Sequence, residues 1–130
     1  VAVALDTSGS MEGGPISAAL GELDKILSAV NAQIWFITGD AQVEEQKNIM
    51  DIQTAKRMVK GYGGTDFRPS FKAAEAQKPD LFIYLTDGEG PAPAHAPRFP
   101  VIWCITPGGS CPVEWGKRVK IEGENSEDSY

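Results

Sequence analysis

The chain has few of the side chains on which soft metals, disulfide frameworks or imidazole catalysis depend: two cysteines and one histidine in 130 residues. Cys104 lies in an apolar run and Cys111 in a Gly/Pro/Ser loop. A disulfide framework is therefore not expected, and two free thiols suit a reducing, cytoplasmic setting. His95 falls in the Pro-rich segment Gly90–Pro100 and reads as an exposed loop residue, although a serine nucleophile would have no other imidazole to call on. No apolar run is long enough to span a bilayer. No charged leader followed by an apolar stretch reads as a signal peptide. Positive charge is also short, with 12 Lys and Arg against 18 Asp and Glu, and the net charge of −6 speaks against nucleic acid and anionic membranes. The chain opens on VAVALD without an initiator methionine, so it is expected to be a domain cut from a longer protein.

What is present is the composition of one ordinary globular domain, 42% hydrophobic and 23% charged, long enough to bury a core without staples. The domain is predicted to span 1–122, followed by an acidic, polar, disordered tail over 123–130. VAVAL (1–5), LFIYLT (81–86) and VIWCIT (101–106) are short continuous apolar runs, as expected of parallel strands buried on both faces. Gln33–Thr38 is a further strand, and Gly39-Asp40 turns it into the polar run Gln42–Asn48. Two strands so close in sequence should pair antiparallel at a charged edge. RVKIE (118–122) alternates like a last edge strand.

Ile16, Ala19, Leu20, Leu23, Ile26, Leu27 and Val30 recur at helical spacing after Pro15. Asp51 is a good N-cap for a helix to Val59, and another helix is predicted from Pro69 to Gln77 with Phe71 and Ala74 inward. Trp35 and Trp103 are assigned to the core. Alternating strands and helices make the fold α/β and doubly wound, a mainly parallel six-stranded sheet with helices on both faces. The predicted strand order is 3-2-1-4-5-6, with strand 3 the antiparallel edge. Ligands of such sheets bind beyond the carboxyl ends of the strands where the order reverses, here between the first strand and the fourth.

That is where the informative residues fall. The first strand runs into Asp6-Thr7-Ser8-Gly9-Ser10, the fourth into Thr86-Asp87-Gly88, and the break Gly63-Gly64 into Thr65-Asp66. Asp6, Ser8, Ser10, Thr65 and Asp87 are hard oxygen donors with no Cys or His among them. This selects Mg²⁺, with Mn²⁺ or Ca²⁺ as alternatives, over zinc or copper. Asp66, Arg68 and Glu89 are assigned to the rim. Taken alone, DTSGS is an ordinary turn, and Ser10 could do no more than cap the following helix.

D-x-S-x-S, Gly-Gly-Thr-Asp and a strand ending in T-D-G, in this order, resemble the von Willebrand factor A and integrin I domains and their metal-ion-dependent adhesion site. The phrases VALDTSGSM, GGTDFRPSF and YLTDGEGPAP are most similar to a bacterial intracellular branch, whose members carry this domain behind a metallopeptidase-like region. Comparable domains accompany AAA+ ATPases. The chain departs from larger members in PGGSCPVEWG (107–116), a loop where they carry a helix. The resemblance implies a protein-interaction module in which Ser8 and Ser10 bind the ion directly, Thr65 does so in a ligand-accepting state, and Asp6 and Asp87 act through waters. A partner's Asp or Glu would complete the coordination. The alternative is a Mg²⁺-dependent phosphatase of the haloacid dehalogenase type. That chemistry needs a second Asp two residues after the first, and Ser8 stands there.

Overall fold

The computed structural model describes residues 1–122, so the tail expected over 123–130 lies outside the described residues. Six strands form one sheet: β1 (Ala2–Asp6), β2 (Ile34–Gly39), β3 (Val43–Ile49), β4 (Phe82–Thr86), β5 (Val101–Ile105) and β6 (Lys117–Lys120). Their order is β3-β2-β1-β4-β5-β6. Every neighbouring pair is parallel except β2 with β3. Fold class, strand order and the antiparallel edge are as the sequence predicts.

The two faces of the sheet differ because side chains alternate along each strand. Val3, Leu5, Ile83, Leu85 and Cys104 point to one face and meet Ile16, Ala19, Leu23 and Leu27 of α1 (Gly14–Val30) and Ala55 of α2 (Ile52–Arg57). Ala2, Ala4, Phe82, Tyr84 and Trp103 point to the other, against Phe71 and Ala74 of α3 (Arg68–Ala76) and the preceding Phe67. The small alanines of β1 leave room there for large rings. Tyr84 stacks on Trp103 with centroids 5.5 Å apart, and Phe71 meets Phe82 edge-on at 5.0 Å.

Among the described residues only α3 covers that aromatic face as a helix. The connection 87–100 holds prolines at 91, 93, 97 and 100, which cannot sustain a helix. It crosses the face as a loop, with Phe99 edge-on to Phe82, and loop 106–116 brings Trp115 onto Phe71 and Trp103. Cys104 and Cys111 belong to opposite faces and both are free.

Asp51 caps α2, accepting the Thr54 amide at 2.8 Å, but the helix closes at Arg57 rather than Val59. Trp35 is half-buried rather than core, because its neighbour β3 is the sheet edge. Its indole N–H donates to Gln46 Oε1 at 3.0 Å. β6 begins one residue earlier than expected and is exposed along its length. Among the described residues no helix is long and apolar enough to cross a membrane.

Candidate metal centre

β1 and β4 lie side by side with parallel register from Ala2–Phe82 to Leu5–Leu85, so Asp6 and Thr86-Asp87 leave the sheet at the same end. Asp6 is fully buried. Its Oδ1 accepts the Ser8 amide at 2.8 Å and its Oδ2 the Thr86 hydroxyl at 2.6 Å. The Thr86 oxygen in turn accepts the Gly88 amide at 2.9 Å, and so fixes the start of the T-D-G turn. Beyond Asp6 a short 3-10 turn (Gly9–Met11) swings Ser10 back over the sheet end. Ser10 Oγ donates to Asp87 Oδ2 at 2.5 Å and stands 3.3 Å from Ser8 Oγ. Asp87 Oδ1 accepts the Glu89 amide at 3.0 Å. Four of the five predicted site residues are thus joined in one network across loops far apart in sequence. Ser10 is no helix cap, because α1 starts after Gly13 with φ of 88°.

Thr65 arrives differently. It is half-buried, and among the described residues its side chain makes no hydrogen bond to the other four. Backbone contacts bring its segment in: Tyr62 N–H donates to Thr7 O at 2.7 Å and Gly9 N–H to Gly63 O at 2.9 Å. A Cβ on Gly90 would stand 3.0 Å from Thr65 Cβ, so the T-D-G loop and the Thr65 segment are in contact. At the rim, Arg68 forks onto Asp66 through Nε and Nη2, both at 2.9 Å. That cation is therefore turned to Asp66, and Glu89 is exposed.

Asp40, which the sequence suggests only as part of a turn, also belongs to this end of the sheet. It follows β2, is 7% exposed, and accepts the Gly63 amide on Oδ2 at 3.0 Å. The available signal was positional: β2 is β1's other neighbour, so an acid just past its end lies beside Asp6-Thr7-Ser8.

Burial pushes the Asp6 carboxyl above its ordinary range. Hydrogen bonds from Thr86 and Ser8 oppose this, and the nearby Asp87 charge adds to it. The charge of Asp87, then a hydrogen bond with it, raises Glu89 as well. Asp66 is held low by its hydrogen bond with Arg68. The hydrogen bond with Asp40 raises Glu44, whereas Asp40 itself stays low because hydrogen bonds from Glu44, Gln42 and Gly63 outweigh its burial.

A cation added here would favour the ionised forms of the raised Asp6 and Glu89, and the donor set fits a hard divalent ion. In an octahedron with Mg²⁺–oxygen distances of about 2.1 Å, adjacent oxygens stand about 3.0 Å apart. The 3.3 Å between Ser8 Oγ and Ser10 Oγ is close to that. Because Ser10 gives its proton to Asp87, its lone pairs are left for a ligand. Among the described residues no three of His, Cys, Asp and Glu converge, so an ion at this end would depend on hydroxyl oxygens.

Residues 1–122 match the family model described as a VWA-like domain (DUF2201). The chain belongs to this VWA-like family. Solved structures that share the fold include two from Bacteroides. One is an aerotolerance-related membrane protein from Bacteroides fragilis NCTC 9343, at 14% identity and TM-score 0.68, covering 98% of this chain and 94% of the other. The second is a conserved hypothetical protein, BatB, from Bacteroides thetaiotaomicron, at 15% identity and TM-score 0.67, covering 98% and 92%. At these identities the likeness concerns the fold alone. No curated protein matches the sequence.

Proposed function

We propose that this VWA-like domain is a non-catalytic, metal-dependent protein-interaction module that holds one Mg²⁺ and accepts an Asp or Glu side chain from a protein partner. The fold supports the interaction role, and one contact carries the metal reading: Ser10 Oγ, bonded to Asp87 and facing Ser8 Oγ at the sheet's switch point. Ser8 and Ser10 would be direct ligands, with Thr65 joining them in the ligand-accepting state. Asp6 and Asp87 would orient the hydroxyls and bound waters from behind. Mn²⁺ or Ca²⁺ would suit the same oxygens. Bound there, the ion would supply a positive charge that neutral hydroxyl ligands do not balance, to which a partner's carboxylate is attracted.

Calorimetric titration of metal-stripped protein tests this. The unaltered chain is expected to bind one Mg²⁺, and Ser10→Ala to weaken binding by about tenfold to a hundredfold, as losses in metal-site shells do. Ser10 is exposed, so the variant should melt close to the parent in EDTA. Equal affinity of the two proteins would place any bound metal elsewhere.

A further inference from the structure

We infer that Asp40 is the positioning residue of the metal site, clamping the Gly61–Asp66 segment so that Thr65 stays within reach of the ion; the inference rests on the metal reading proposed above.

The segment that carries Thr65 has no helix or strand of its own. Two of its backbone contacts run to the Asp6–Ser10 loop, from Tyr62 N–H to Thr7 O and from Gly9 N–H to Gly63 O. The other two run to Asp40: Gly63 N–H to Oδ2 at 3.0 Å, and Asp66 N–H to the backbone oxygen at 3.1 Å. Residues on both sides of Thr65 are therefore held by a single residue at the end of β2.

A turn-capping role would account for one carboxylate oxygen only. Oδ1 accepts the Gln42 amide at 3.3 Å, as local Asp turns do. Oδ2 is committed instead to an amide 23 positions away. The glycines agree with this. A Cβ on Gly61 or Gly63 would stand 2.7 or 2.8 Å from Asp40 Oδ2, so the chain passes directly over the carboxylate. Gly61 also takes φ of 111°, which L side chains rarely adopt. Among the described residues Asp40 has no hydrogen bond to Ser8, Ser10 or Asp87, so its bonded path to the ion is the backbone of the Thr65 segment, and its charge acts only through space.

The test is a double-mutant cycle on Mg²⁺ affinity, with circular dichroism and melting in EDTA to establish that each variant is folded. Asp40→Ala should weaken Mg²⁺ about tenfold. Asp40→Asn, which keeps an oxygen to accept the Gly63 amide, should recover most of that loss. In metal-free protein the Gly63 amide should exchange faster in Asp40→Ala, because its acceptor is removed, whereas the Asp66 amide keeps the Asp40 backbone oxygen. The decisive comparison uses a Thr65→Ala background. There Asp40→Ala should have little further effect on affinity, because the side chain it positions is gone. Additive losses would mean that Asp40 acts as a general structural prop, and the inference would fail. Should Asp40→Ala bind Mg²⁺ as the parent does, only this inference falls. A parent chain that binds no Mg²⁺ would overturn the metal reading and this inference together.

Discussion

Gly88→Ala is expected to destabilise the domain by about 3 kcal/mol and to disable the proposed metal site with it. Gly88 sits in the T-D-G turn at φ of 80°, where an L residue costs roughly 1–2 kcal/mol. A Cβ there would overlap the Ser110 carbonyl oxygen and stand 2.8 Å from its carbon. Nothing flexible can move aside, because the obstacle is backbone. On the facing loop a Cβ on Gly109 would overlap the Asp87 oxygen, and Ser110 N–H donates to that oxygen at 3.0 Å. Forced overpacking adds roughly 1–3 kcal/mol. The melting temperature should drop by about 10 °C. Any relief must shift the Asp87 backbone, so Mg²⁺ affinity should fall as well. Gly21 is the internal control. It lies on the exposed side of α1, where an added Cβ would meet nothing within 4 Å, and Gly21→Ala should stabilise by about 0.5–1 kcal/mol. A Gly88→Ala protein that melts with the parent would show that the two loops are not packed this way.

At Asp6, alanine and asparagine should act in opposite directions. Asp6→Ala leaves the Ser8 amide and the Thr86 hydroxyl without their buried acceptor, at about 1–3 kcal/mol each. It should therefore lower stability even in EDTA. Asp6→Asn keeps an oxygen for the Ser8 amide and turns its own N–H to the Thr86 hydroxyl oxygen, which can accept as well as donate, while removing the charge. The sign follows from the carboxyl being raised by burial. A raised acid burdens the folded state while ionised, and the burden is relieved as pH falls through the folded value. Metal-free Asp6→Asn should then melt above the parent at neutral pH, and the gap should close on acidification. With Mg²⁺ the order should reverse, since a bound cation favours the ionised carboxylate. If asparagine destabilises the metal-free protein as strongly as alanine, charge is not the burden at Asp6.

The sheet and its order were legible because the three central strands are apolar runs of strand length. Their continuity reflects burial on both faces, which leaves no polar period to mislead. That Asp6, Ser8, Ser10 and Asp87 come together was legible for a related reason: the topology places the ends of β1 and β4 side by side. Trp35 was misassigned because hydrophobicity says what a strand residue prefers, not how much of its neighbour covers it. Asp40 was missed because its partners are the amides of Gly63 and Asp66, and backbone donors leave no mark in a sequence. The length of α2 likewise escaped. Met58 and Val59 continue the apolar pattern, but they pack on the same face from a turn that follows the helix.

The most direct test of the metal site is where a paramagnetic ion settles. Substoichiometric Mn²⁺ added to isotope-labelled, metal-stripped protein should broaden the amide signals of Ser8, Gly9, Ser10 and Gly88 first. Excess Mg²⁺ should restore them, and Asp6→Asn should show much weaker broadening. Selective broadening at another surface, or Ser8–Ser10 signals that stay sharp while the ion binds, would contradict the account.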